Sequence, residues 1–335
     1  MPFSFLTLPC LIQDNALRLT EDFDRIIFSS ISTRTKNIVR RANCTLRSME
    51  WMLDDNRKNF LDFSESADSR FVFTNEMPAE ERENGQWIRL LINGNVYPAL
   101  KTPTQIYMED FARPFRHPWK IMEEMTKHVL EVSRCDQFDL VATTDSEDLF
   151  VFNYTHKFNL LQYEAETHNR KSSARLSDFL LRDVEVTNEL YFFLFPEEGY
   201  TYSGPLRMGI LSPYEDDFLT EEAILNMECR RAYLCGGWED VHLNRFIKKW
   251  LSGGLQNIEK CMFSTNHVLN EDTLFEGIHT IPFSLDNRPS RRSRTENDSE
   301  GVDIRRSDGC LATINIVTGG VYESVLTIYV WKELM

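Results

Sequence analysis

Apolar residues recur at helical spacing three times within the first forty-odd positions. Leu11, Ile12 and Leu17, following Pro9, predict a short first helix. Phe23, Ile26, Ile27 and Ile31, at i, i+3, i+4 and i+8, predict a second, with Thr20 as its cap and Glu21 and Asp22 as first-turn acids. Thr35, Ile38, Val39 and Ala42 repeat the spacing for a third, leaving Lys36, Arg40 and Arg41 on its polar side. Three helices of this size bury little apolar surface by themselves, so any apolar face left over is available to another protein.

The pattern then changes. Residues 64 to 86 are polar and acidic and read as an irregular connector, part of a helical and polar stretch over 47–86 that ends the N-terminal module of residues 4–46. Trp87–Ile92 and Asn95–Tyr97 flank Asn93-Gly94, the strongest hairpin signal in the chain, and open a second domain over 87–335. Strand-like runs recur at 138–142, 189–195, 206–211, 231–235 and 258–263, with helical patterns between several of them. The last intervals are about 25 to 28 residues, the kind of spacing that leucine-rich-type repeats use to stack units unable to bury their faces singly.

The clearest helix is Asp240–Leu251, with Leu243, Phe246, Ile247, Trp250 and Leu251 as its apolar stripe, Lys248 and Lys249 in its last turn and Gly253-Gly254 ending it. After it, residues 303–306, 310–317 and 322–331 read as three antiparallel strands joined by tight turns. The expected class is α+β or mixed α/β: a small three-helix N-terminal module, then a degenerate leucine-rich-repeat-like α/β domain closed by an antiparallel meander.

Composition narrows the function more than the fold. The chain has 335 residues, 42% of them hydrophobic, and a formal charge of −15, which disfavours nucleic acid or an anionic membrane surface as partner. Seven cysteines, Cys10, Cys44, Cys135, Cys229, Cys235, Cys261 and Cys310, form no C-x-x-C pair and suit a reducing compartment, most of them as small core residues. The N-terminus lacks the features of a signal peptide and no segment approaches 18 apolar residues, so a cytoplasmic or nuclear location is expected. The three Asn-x-Ser/Thr matches at Asn43, Asn153 and Asn297 carry no weight without secretion.

No motif announces catalysis. There is no His-Glu-x-x-His, no calcium loop and no phosphate loop, and Gly236-Gly237 and Gly253-Gly254 read as turns and caps. No cofactor or metal is therefore expected, and no enzymatic activity. The one basic cluster, Arg288 to Thr295, reads as a solvated loop, with phosphorylation of Ser293 or Thr295 as its sharper reading.

The opening segment, Leu8-Pro9-x-x-Ile12, Asp24-x-Ile26-Ile27-x-Ser29 and Lys36-x-Ile38-Val39, resembles an F-box over residues 4 to 44. It departs from the commonest pattern in having no aromatic residue within 32–36. A second resemblance is more specific. Asn244-Arg-Phe-Ile-Lys248-Lys-Trp250-Leu-Ser-Gly253-Gly-Leu-x-Asn257-Ile-Glu259, followed by Asp303-Ile-Arg-Arg-x-Asp308-Gly-x-Leu-Ala-Thr313-Ile, is similar to the type-2 F-box-associated domain found behind an F-box in a large nematode family. It is sharpest over about 189–335 and holds in pattern more than in residues over about 100–200.

The resemblance implies the substrate-recognition subunit of a Skp-cullin-F-box ubiquitin ligase. Leu8, Pro9, Ile12, Ile26, Ile27 and Ile31 would contact a Skp-type adaptor and, through it, a cullin, while the C-terminal domain would bind a target protein through residues the sequence does not name. The alternative is a ubiquitin-independent interaction module with a vestigial F-box.

Overall fold

A computed structural model describes residues 5–54, 59–63, 69–74, 79–108, 119–144, 146, 148–165, 173–284 and 301–331. The class is mixed α/β. The chain divides into two compact units, Met1–Asn159 and Leu160–Met335.

In the first unit the three expected helices form: α1 (Cys10–Arg18), α2 (Asp22–Ser29) and α3 (Thr33–Ala42). Ser32 caps α3 by accepting from the Thr35 N–H at 3.2 Å, and Asn43 ends it in the left-handed conformation at φ 50°. Thr20 does not cap α2. Its hydroxyl donates back to the Ala16 carbonyl of α1 at 2.9 Å, and Glu21 stands at the cap position without a side-chain hydrogen bond. Buried Arg25 ties the two helices, donating to the Leu17 and Thr20 carbonyls at 3.3 Å and pairing with Asp22.

The stretch over 47–86, expected to be helical and polar, holds three short strands and a short helix among its described residues. After the short β1 (Thr45–Leu46) come β2 (Met49–Asp54), β3 (Asn59–Asp62) and β4 (Arg70–Phe73). Then follow α4 (Ala79–Asn84), β5 (Gln86–Ile92), β6 (Asn95–Lys101), β7 (Gln105–Met108), α5 (Trp119–Val132), β8 (Arg134–Cys135) and β9 (Phe138–Thr143). Along β2 the alternate residues Met49, Trp51 and Leu53 are buried, a period-two pattern that polar neighbours disguise in the sequence.

β9 and β2 pair in parallel, β2, β3 and β4 are antiparallel, β4 and β7 parallel, and β7, β6 and β5 antiparallel. The predicted hairpin is in place, with Ile92 opposite Asn95 and Asn93 and Gly94 both at positive φ, as a two-residue primed turn requires. Trp51 stacks on Phe138 at 5.5 Å and donates its indole N–H to Thr126 of α5 at 2.9 Å.

The helices at the N-terminus do not stand apart from this sheet. The Leu91 N–H donates to the Ser30 carbonyl at 2.6 Å, Phe23 packs on Phe71, and Lys36 pairs with Glu131 of α5 at 2.7 Å.

The chain enters the second unit through β10 (Lys157–Glu164), then α6 (Ala174–Asp178), β11 (Glu185–Phe193), β12 (Ile210–Pro213), α7 (Glu221–Leu225), β13 (Arg231–Cys235), α8 (Asp240–Leu251) and β14 (Lys260–Thr265). It ends with α9 (Glu271–Leu274), β15 (Ile281–Pro282), β16 (Val302–Arg305), β17 (Leu311–Thr318) and β18 (Ser324–Trp331). Strands β11 to β14 are parallel in order, with Glu189, Ile210, Arg231 and Lys260 side by side, so equivalent positions recur at 21, 21 and 29 residues. Antiparallel β18 adds to β14, and β17, β16 and β15 continue the predicted meander.

Helix α8 has the predicted bounds. It buries Leu243, Phe246, Ile247 and Trp250, while Leu251 is only partly covered. Gly253, at φ 93°, and Gly254 return N–H groups to the Trp250 and Lys249 carbonyls and close it.

Candidate functional site

Two places collect side chains that could meet a partner, one in each unit. The first is the outer side of α1 and the turn between α2 and α3. Leu17, Ile26, Ile38 and Val39 fill the interior, whereas Leu11 is 72% exposed, Ile12 50%, Leu19 89% and Ile31 58%. Of the six residues expected to meet an adaptor, Pro9, Ile12 and Ile31 are exposed and Leu8 is partly covered. Ile26 and Ile27 are buried, at 0% and 9%, and belong to the unit's own core. The reason is helix length: α2 stops at Ser29, so Ile31 leaves the face that the periodicity assigned to all three isoleucines.

The interior beside this surface holds a fully buried histidine. His128 of α5 lies 2.8 Å from Ser29 Oγ and 3.3 Å from Ser30 Oγ through Nε2. Both hydroxyls donate to the Ile26 carbonyl, at 2.6 and 3.0 Å. The ring nitrogen is therefore the donor, and Nδ1 carries a lone pair with no hydrogen-bond partner among the described residues. Burial, reinforced by the Lys36 charge, pushes the imidazole down to about 4, so it is a neutral core group at physiological pH.

The second place is at the carboxyl ends of the parallel strands β12 and β13, where open α/β sheets commonly bind ligands. An open pocket of about 160 Å³ is lined there by Asp216, Asp217, Leu219, Glu221, Gly237, Trp238 and His242. β12 delivers Asp216 and Asp217 in the loop after Pro213, and β13 delivers Gly236, Gly237 and Trp238 after Cys235. The first residues of α7 and α8 bring Glu221 and His242.

Asp216 has no solvent exposure. Its Oδ2 accepts from the Trp238 indole N–H at 3.0 Å, and its Oδ1 has no hydrogen-bond partner. Burial raises this carboxyl to about 7 against the opposing effect of the Trp238 hydrogen bond, with the Asp217 charge adding to the rise. Asp217 is exposed and accepts from the Gly237 N–H at 3.0 Å. Glu221 is paired with Arg245 at 2.9 Å.

This constellation is not named by any sequence motif. Asp216-Asp217 falls in no motif, and Gly236-Gly237 reads as a turn. The available signal is positional, since one pair lies three residues beyond the end of β12 and the other directly follows β13 of the same parallel set.

The residues that carry the second resemblance have structural duties. Asn244, buried on α8, donates to the Leu274 and Glu276 carbonyls at 2.8 and 3.1 Å and so holds the end of α9. Arg306 lies over the Trp250 ring at 5.1 Å and pairs with Asp308 in the turn at Gly309. Buried Asp303 accepts from the Thr313 hydroxyl at 2.7 Å, and that hydroxyl accepts from the Trp331 indole at 2.8 Å.

All seven cysteines are free. Burial pushes the Cys135 and Cys229 thiols up to about 11 and raises Cys261 well above its ordinary value, which leaves little reactive thiolate at neutral pH on these three. Among the described residues no group of three or more His, Cys, Asp or Glu side chains is arranged to hold a metal ion, and no helix is long and apolar enough to cross a membrane. Ser293 and Thr295 lie outside the described residues. Searches of the chain against protein-family models, curated proteins and solved structures returned no match.

Proposed function

We propose that the chain is a substrate receptor of a Skp-cullin-F-box ubiquitin ligase, with no catalytic chemistry of its own. The carrying observation is that, beside the buried core of the N-terminal helices, the apolar side chains Leu11 and Ile12 of α1 and Ile31 of the α2–α3 turn are each at least half exposed. Large apolar side chains left in water are candidates for contact with a partner. In this reading α1 and the α2–α3 turn dock on a Skp-type adaptor through Leu8, Pro9, Ile12 and Ile31, and Ile26 and Ile27 support that surface from within.

The second unit, read as a leucine-rich-repeat-like stack closed by a meander and resembling the type-2 F-box-associated domain, presents the target. The mechanism is proximity: a tethered target sees a high effective concentration of the charged conjugating enzyme, with no bond made by the receptor. No cofactor enters.

The test is a pull-down of purified Skp-type adaptor by the full chain and by a Pro9→Ala/Ile12→Ala variant, with circular dichroism as the check on folding. Exposed anchors at an interface cost about 2 kcal/mol or more when truncated, so the variant should lose at least about 30-fold in affinity. A folded wild-type chain that captures no adaptor sinks the reading and leaves a ubiquitin-independent interaction module.

A further inference from the structure

The pocket at the ends of β12 and β13 has a charge imbalance that its own residues do not settle. Three carboxyl groups, Asp216, Asp217 and Glu221, line it together with Leu219, Gly237, Trp238 and His242, and no lysine or arginine does. The Arg245 guanidinium is committed to Glu221 at 2.9 Å, and the N–H of Gly237 to Asp217. The buried Oδ1 of Asp216 is left as an acceptor without a donor.

A carboxyl taken fully out of water keeps its proton or, once ionised as Asp216 is above pH about 7, calls for donors or a cation beside its oxygens. Gly236 marks how closely the fold is fitted to this oxygen. A Cβ there would come within 1.9 Å of Asp216 Oδ1, so any larger residue would displace the carboxylate.

The chemistry of a fitting occupant follows from the lining. It must carry positive charge and hydrogen-bond donors for Asp216 and Asp217, and an apolar stem for Leu219 and the edge of Trp238. A metal ion fits poorly, since no group of three or more ligating side chains is set for one among the described residues, and an apolar wall offers it nothing. A flexible side chain ending in an ammonium or guanidinium meets both requirements.

We propose that this pocket receives a lysine or arginine side chain of a target protein, its head against Asp216 and Asp217 and its stem against Leu219 and Trp238. The proposal rests on the receptor reading for the word target, and on the pocket alone for the cation. The chain's formal charge of −15 would favour encounter with such a basic segment.

The experiment follows the indole N–H resonance of Trp238, assigned with Trp238→Phe, in full-length protein labelled at tryptophan nitrogen. At pH 8 the probes are N-acetyl-lysine-N-methylamide, its norleucine counterpart and n-butylammonium. The lysine derivative and n-butylammonium, which share the head and stem the pocket would hold, should each give a saturable shift, and the norleucine derivative none.

Asp217→Asn, on the exposed rim, and Asp216→Asn, which keeps the volume of the buried group, should each weaken binding at least about tenfold. If Asp216→Asn does not fold, Asp217→Asn still decides. No saturable shift up to about 20 mM lysine derivative, weaker than any useful side-chain contact, overturns the proposal. So does binding of the norleucine derivative as tight as that of lysine, or unchanged binding by a folded Asp217→Asn variant. Binding of n-butylammonium much tighter than that of the lysine derivative overturns the protein target and assigns the pocket to a free amine. The Pro9→Ala/Ile12→Ala variant should keep the shift intact, so a chain that captures no adaptor yet saturates with the probe loses the ligase reading and keeps the pocket.

Discussion

Asp216→Asn should make the second unit less sensitive to alkali, and the sign can be worked from the site. The carboxyl titrates near its ordinary value of 3.8 in the unfolded chain and at about 7 when folded. Between those values the folded protein binds the extra proton, so stability is fully present below 3.8, falls as pH rises through about 7 and is flat above it. The full difference corresponds to about 4 kcal/mol, of which about 2.5 kcal/mol is lost between pH 5 and pH 8.

The groups facing Asp216 do not reverse this. Asp217 raises the carboxyl further, the Trp238 indole opposes burial without overcoming it, and Tyr322 and Cys261 ionise above the window. Urea unfolding at pH 5 and pH 8, read from the Trp238 indole resonance, measures the effect. Relative to wild type, the asparagine variant should gain about 2.5 kcal/mol on going from the lower pH to the higher. Parallel pH profiles for the two proteins would refute the argument, because they would mean that the folded carboxyl is already ionised at pH 5 and has found a donor.

The first unit should respond to pH in the opposite direction. His128 is held at about 4 against an ordinary 6.5, so its stability contribution, present above 6.5, is lost as pH falls through 4 by up to about 3 kcal/mol. Hydrogen exchange of α5 amides should quicken toward pH 4 after correction for intrinsic rates, and unchanged protection would refute it. Ile26→Ala should destabilise the fold by about 2–5 kcal/mol in urea, whereas Ile12→Ala at a half-exposed position should stay within about 0.5 kcal/mol while reducing adaptor capture. Thr313→Val, nearly isosteric, strips a donor from buried Asp303 and an acceptor from Trp331. It should cost about 1–3 kcal/mol for the two hydrogen bonds lost, and a loss under about 0.5 kcal/mol would show that water replaces the hydroxyl.

What could be read from the sequence was what short-range geometry decides. Asn93-Gly94 forces a primed turn wherever it sits between strand formers, and Asp240 to Leu251 carries a complete helix signature of stripe, basic end and glycine stop, so both emerge as expected. The stretch over 47–86 was misjudged because its three strands are short and polar runs separate them, so the alternation at Met49, Trp51 and Leu53 passed beneath the acidic composition around it. Ile26, Ile27 and Ile31 share a periodicity, but only the end of α2 at Ser29 separates core from surface. The pocket was illegible for another reason. Asp216 and Asp217 are the same residue type in adjacent positions, and tertiary packing alone takes one fully out of water and leaves the other exposed.

The same contrast separates recognition from function in this chain. Asn244, Asp303, Arg306, Asp308 and Thr313, the residues that make the C-terminal resemblance specific, hold α9 to α8 and the meander to itself through hydrogen bonds and ion pairs. Groups with such duties constrain a fold strongly, since each leaves a polar partner stranded when it is changed. Asp216, Asp217 and Trp238 lie outside both motif stretches, in the loops that follow β12 and β13. A scaffold of this kind can hold its shape while those loops vary, which is how binding specificity is commonly distributed between a rigid framework and its connections. The motif residues therefore bear on what folds, and the proposed binding falls to the strand-end loops.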